Sequence, residues 1–138
     1  MALRFLSRDG APREITYAEL GLRTDAFAAA LQVLGVGPGE RVCTRLDRSE
    51  ELYVAALGAL KNGSVYCPLF PAFGPGPVQQ RLDLGKIPVL VTDPESYERK
   101  VAPVRAELPH LDLVLLVEPA GADTSASTDT RTSPSGGV

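Results

Sequence analysis

Strand-sized apolar runs alternate with helix-patterned stretches along this chain, and that alternation constrains its fold more than any other feature. The runs Arg41–Leu46, Val65–Cys67, Pro88–Thr92 and Leu111–Val117 read as continuous rather than alternating apolar segments. A strand that is apolar at successive positions buries both of its faces, which calls for cover on both sides of the sheet. The expected class is therefore α/β: strand-helix units forming a mostly parallel sheet covered by helices. The opening segment Ala2–Leu6 offers one more strand.

The signals between the strands are strongest in the first half. Thr16 and Glu19 have capping-box spacing, and Ile15 with Leu20 fits a hydrophobic staple around it. Tyr17, Leu20, Phe27, Leu31 and Leu34 then recur at helical spacing and predict the buried stripe of a first helix. Gly35 is placed to end that helix, with Val36 packing back on Leu31. Ser49 is placed to cap a second helix from Glu50 to about Lys61, ended by Asn62-Gly63, with Leu52, Ala56, Leu57, Ala59 and Leu60 facing inward.

The second half is less regular. Pro68–Pro77 holds four prolines and two glycines in ten residues, which excludes regular structure and makes a stiff local shape. A short helix is expected around Val78–Leu84. Asp93-Pro94 starts a further helical stretch, interrupted or restarted at Pro103 and stopped by Pro109. From Pro119 onward the composition changes: eight of the last 20 residues are Ser or Thr. That segment cannot bury enough apolar surface to offset its ordering entropy, so residues 119–138 are expected to be a disordered tail.

Composition removes several function classes. Fourteen basic against 17 acidic residues leave a formal charge of −3, which gives no general reason to bind nucleic acid or an anionic membrane. No apolar run approaches the length of a bilayer span, and the first residues lack a signal-peptide arrangement, so cytoplasm is the default. Cys43 and Cys67 form no CxxC pair, and His110 is the only histidine. The cysteines read as small buried hydrophobes and no metal site is expected.

Several constellations invite a chemical reading and mostly decline it. Gly35-Val36-Gly37-Pro38-Gly39 is glycine-rich but follows a helix and opens a strand, the reverse of a dinucleotide-binding loop. Glu50-Glu51 reads as the solvated, dipole-favoured start of a helix rather than an acid/base pair. Asp47 and Ser49 lie at the C-terminal edge of a strand, where α/β sheets place ligands, but Ser49 reads as a cap. His110 reads as a surface residue. Arg99-Lys100, with Arg105, can meet a phosphate or form an exposed face balanced by Glu95, Glu98 and Glu107, and the second is favoured. The aromatic-bearing loop Phe70–Pro77 either lines a pocket or is a structural crossover.

The order of these elements resembles one family, the AMP-forming acyl-CoA synthetases of the acyl-adenylate-forming superfamily. The resemblance is carried by Ile15–Leu20, Leu34–Val42 and Ala55–Gly63. Two further segments, Cys67–Pro75 and Tyr97–Arg105, are similar to acetyl-CoA synthetases in particular, and the likeness spans about residues 2–117. Arg45 departs from it, standing where the family prefers an aliphatic residue, as do Pro71 and Gly76.

The resemblance implies that residues 1–118 are part of the N-terminal region of such a ligase, an incomplete subdomain of a larger fold. It implies a reaction in which a carboxylate and ATP give an acyl-adenylate and pyrophosphate, after which coenzyme A takes the acyl group. The family uses ATP, magnesium and coenzyme A. Its Ser/Thr/Gly-rich phosphate loop and catalytic lysine have no match here, since Thr132–Val138 lacks both the Gly-Thr-Thr-Gly core and the Pro-Lys-Gly ending. No catalytic residue is carried over. The positions implied to face the nucleotide end of coenzyme A are Phe70, Ala72, Tyr97, Arg99 and Lys100. The expectation is a piece cut at both ends, inactive alone and at most a weak coenzyme A binder. A companion chain carrying the rest of the ligase, or a non-enzymatic binding module, stands as the alternative. The tail after Glu118 then fits a frameshift or premature stop.

Overall fold

The computed structural model describes residues 1–6 and 10–118. The expected tail, 119–138, lies outside the described residues.

The chain folds as β1 (Leu3–Phe5), β2 (Arg13–Ile15), α1 (Tyr17–Val33), β3 (Arg41–Arg45), α2 (Glu50–Lys61), β4 (Val65–Pro68), α3 (Pro75–Leu84) and β5 (Val89–Thr92). An irregular helical stretch over Pro94–Glu107 and a last strand, β6 (Leu113–Leu116), follow. The main sheet has four parallel strands in the order β4-β3-β5-β6. The chain runs outward from β3 to β4 through α2, then returns past β3 to β5 through α3. The change of direction accompanies a change of face, as right-handed crossovers require.

Successive residues of one strand feed opposite cores. Val42, Leu46, Val89 and Val91 pack with Leu31, Val36, Ala55 and Ala59 of the α1–α2 layer. Cys43, Leu90 and Val114 pack with Val78, Leu82, Val101 and Leu108 of the other layer. This two-sided burial is why β5 and β6 are apolar at nearly every position, while β3 also buries the polar Thr44 and Arg45. Pro68 closes β4 on the edge of the sheet, where a missing N–H is tolerated.

The expected helix ends are present. Glu19 N–H donates to Thr16 Oγ1 at 3.2 Å and Thr16 N–H to Glu19 Oε2 at 2.8 Å, completing the capping box. The Thr16 N–H, and after it the Thr16 hydroxyl donating to the same oxygen at 3.1 Å, hold the Glu19 carboxyl below its ordinary pKa. Beyond α1, Gly35 N–H bonds Gln32 O and Val36 N–H bonds Leu31 O, with Gly35 at φ +82°. Gly63 N–H to Leu60 O and Ser64 N–H to Ala59 O repeat the pattern after α2.

The buried stripes match those expected only in part: Leu31 and Ala59 are buried, and Phe27 and Leu52 pack on the same core, but the other members differ. In α1 the buried residues are Thr24, Ala28 and Leu31, while Tyr17 is 75% exposed and Leu34 is also exposed. In α2 they are Glu50, Ala55, Gly58 and Ala59, with Leu57 and Leu60 outside. Small residues win because the two helices approach closely: a Cβ at Gly58 would stand 2.7 Å from Phe27 Cδ1 and 3.0 Å from Thr24 O. Glu50 is not a solvated helix start. It is 6% exposed and forms ion pairs with Arg13 and Arg23, tying β2 and α1 to α2.

The expected opening strand and the helical stretch from Pro94, restarting at Pro103, are both present, while α3 starts earlier than expected. The first strand does not join the parallel sheet; it pairs antiparallel with β2, a three-residue charged strand too short to show periodicity. Helix α3 begins at Pro75, because prolines fit a first helical turn whose N–H groups have no intrahelical partner. The stretch from Pro94 is an α-turn, then a π-turn over Tyr97–Val101 and a 3-10 segment over Ala102–Glu107. Ala102 N–H reaches back five residues to Tyr97 O, absorbing an extra residue just before Pro103, whose ring cannot continue the ladder.

Candidate functional site

In a parallel sheet the open ground lies beyond the C-terminal strand ends, where loops diverge to opposite faces. Here that ground holds a cleft of about 960 Å³ beyond β3 and β4. Its floor is Thr44 and Tyr66, whose hydroxyls share a hydrogen bond at 2.9 Å. Asp47 and Arg48 form one wall, from the loop before α2, and Pro68–Ala72 form the other. Leu69 N–H donates to Thr44 O at 2.8 Å, carrying the β3–β4 ladder one step into this second wall.

The proline-rich wall is held from behind. The buried Arg45 guanidinium donates to the carbonyls of Pro71 and Phe73, the latter at 3.3 Å. Arg81 lies 4.0 Å over the Phe73 ring, and Phe70 meets that ring edge-on at 5.6 Å and 78°. Phe70 itself is 63% exposed. The wall thus combines an exposed aromatic face with a backbone whose shape is set by interior contacts. Chemically it suits a flat, apolar-faced group, with Arg48 as a cation in the same lining.

A second cleft of about 420 Å³ lies beside it, lined by Asp47, Ser49, Glu51, Asp93 and Glu95 among others. Its carboxylates disfavour phosphate. Ser49 uses its hydroxyl as the α2 cap, accepting from Leu52 N–H at 3.3 Å, as its position implied. Among the described residues no group of three or more His, Cys, Asp and Glu is arranged to hold a metal ion. No helix among them is long and apolar enough to cross a membrane.

The five residues implied by the resemblance fall in two places. Phe70 and Ala72 line the large cleft. Tyr97 packs on the far layer with Leu69 and Phe73, Arg99 pairs with Glu95 at 3.1 Å, and Lys100 is half-buried; none of the three lines the cleft. Linear reading passed over Thr44, Tyr66 and Arg48, because a tyrosine in one strand and a threonine two residues from the end of another carry no joint signal. His110 is exposed. Cys43 and Cys67 stand opposite each other in register; Cys43 is buried and Cys67 half-buried. Burial, reinforced by Cys67, pushes the Cys43 thiol up to about 12, and burial also raises Cys67, so neither is a ready nucleophile.

Known proteins are similar to this chain in sequence and in fold. The chain is 41% identical to the acetyl-coenzyme A synthetase of Bacillus subtilis over 103 residues, 74% of this chain and 18% of that protein. It is 35% identical to the acetyl-coenzyme A synthetase of Thiobacillus denitrificans over 95 residues, 69% of this chain and 14% of that protein. The chain therefore spans less than a fifth of the length of these relatives. Among solved structures, the acyl-CoA synthetase of Brucella canis superposes with a TM-score of 0.75 at 29% identity, covering 93% of this chain and 23% of that one. The family profile described as "AMP-binding enzyme" matches residues 2–136, past Glu118 where the resemblance had been traced to its end. With the parallel sheet, the cleft at its strand ends and these likenesses in agreement, the chain belongs to the AMP-binding enzyme family.

Proposed function

We propose that this chain supplies the Phe70-bearing wall of an acetyl-CoA synthetase-like, AMP-forming acid–CoA ligase, and that the 138 residues alone do not turn over. The observation that carries the reading is the cleft beyond β3 and β4, walled by Phe70 and Ala72. In the parent reaction a carboxylate oxygen attacks the α-phosphorus of ATP and pyrophosphate leaves; the thiol of coenzyme A then displaces AMP from the acyl carbon. The residues of this chain serve the second substrate. Phe70 offers a face for the adenine ring, Arg48 a cation for a phosphate, and the Thr44–Tyr66 hydroxyl pair a polar floor. Nothing in the cleft performs the proton or phosphoryl chemistry, which in such a ligase comes from elsewhere in the protein.

Two measurements test this. The purified chain should show no acetate-dependent ATP–pyrophosphate exchange; measurable exchange would refute the view that further parts are essential. Titration with adenosine 3′,5′-bisphosphate should give weak saturable binding, weakened about tenfold by Phe70→Ala, the loss expected for one stacked base. Equal affinity in the variant, or no binding at all, would remove the coenzyme A reading.

A further inference from the structure

We propose that Arg45 is a positioning residue: its buried guanidinium clamps the proline-rich loop into the shape that presents Phe70 to the cleft. Arg45 is 3% exposed, and no carboxylate pairs with it among the described residues. A cation buried without a counter-ion is unfavourable unless its donors find good acceptors. Here those acceptors are the Pro71 and Phe73 carbonyls, while Nε is left without a partner.

The loop explains why an arginine fits where the family resemblance implies an aliphatic residue. Four of the ten residues Pro68–Pro77 are prolines and donate no N–H. The Leu69 and Phe73 amides are already spent on Thr44 O and Phe70 O. No backbone N–H among the described loop residues donates to the Pro71 or Phe73 carbonyl, and an apolar residue at 45 would leave both without their present donor. A single terminal nitrogen, Arg45 Nη2, donates to both carbonyls and so ties the two ends of the Pro71–Phe73 turn to one point in the core. Holding Phe73 O also holds the Phe73 ring, against which Phe70 rests. The clamp rests on the proposed cleft function only in its ligand-binding consequence.

The test compares the wild-type chain with Arg45→Met and Arg45→Lys by backbone amide hydrogen exchange and by adenosine 3′,5′-bisphosphate titration. In Arg45→Met the Leu69 and Phe73 amides should exchange at least tenfold faster while Leu90, in β5, changes less than twofold. Arg45→Lys, which keeps a nitrogen donor on a shorter side chain, should fall between. It keeps the test decisive should Arg45→Met fail to fold. Bisphosphate affinity should fall in the same order. Equal acceleration of Leu69, Phe73 and Leu90, or none in either variant, would overturn the clamp. Absence of bisphosphate binding by the wild type would defeat the cleft function alone, leaving the exchange data to judge Arg45.

Discussion

The two layers that cover the sheet are built by different means. The α1–α2 layer is specified locally: each helix has a side-chain cap, a glycine at positive φ after its end, and a bond pattern that closes its last turn. The opposite layer has weaker ones: α3 closes with the same bond pattern but with Lys86, not a glycine, at positive φ, and the Pro94 stretch is capped by Asp93. Helix α3 starts without a side-chain cap, and the stretch from Pro94 passes through three helical geometries in fourteen residues. Yet Val78, Leu82, Val101 and Leu108 are as deeply buried as anything in the first layer. Tertiary burial holds in place what local propensity leaves irregular. The cleft wall belongs to this second kind of structure, with Arg45 standing in for absent backbone donors.

The sharpest way to break the contrast is at the close approach of α1 and α2. Gly58→Val places two methyl groups where even a Cβ would press on Phe27 and on the Thr24 carbonyl. Phe27 can rotate but the carbonyl cannot, so the helices must separate. The expected loss is about 3 kcal/mol by urea denaturation, at the upper end for overpacking. A loss below about 1 kcal/mol would show that the first layer tolerates separation and is no more tightly specified than the second.

The same contrast decides what was legible in the sequence. Helix ends were readable because Thr16, Glu19, Gly35, Ser49 and Gly63 act on neighbours within three or four residues. The parallel sheet was readable because burial on both faces leaves its trace in the apolar runs of β5 and β6 and in the centre of β3. Buried stripes were legible only in part: Leu31, Phe27, Leu52 and Ala59 face the core as their spacing implied, whereas Thr24, Ala28 and Gly58 are inward because two helices meet there, a fact about distant residues. Strand β2 was invisible at three residues, and Glu50 passed for a solvated carboxylate because Arg13 and Arg23 lie 37 and 27 positions away. At the cleft, the aromatic loop was recognisable, whereas the Thr44–Tyr66 floor and the Arg45 contacts depend on strand pairing that no linear spacing announces.

A second prediction uses the face of β3 that looks toward the irregular layer. Cys43 is buried there with its thiol raised from about 9 to about 12, because that core disfavours the thiolate. Below pH 9 both folded and unfolded chains keep the proton and the contribution is intact. Above it the unfolded chain releases a proton that the folded chain retains, so stability falls as pH rises toward 12. At pH 10 the expected loss is about 1.4 kcal/mol, absent in Cys43→Ala when each protein is referenced to its own stability at pH 8. An equal decline in both would mean that the second layer admits water to Cys43 and is looser than its burial implies.

The smallest effect is expected on the outer surface of the irregular layer. Arg99 and Glu95 form an i,i+4 pair in which both side chains are 71% exposed. Water screens such a pair and competes for both partners, so Arg99→Ala should change stability by less than about 0.5 kcal/mol. That near-neutrality makes the variant useful for function, because any effect on ligand binding then has no folding component. Arg99 lies outside the cleft lining and already faces a carboxylate, so adenosine 3′,5′-bisphosphate affinity should be unchanged, in contrast to Phe70→Ala. A tenfold fall in affinity without loss of stability would place the Tyr97–Lys100 turn against the ligand. The wall of the site would then extend from the clamped loop into the second layer, with the π-turn as a functional rather than merely tolerated irregularity.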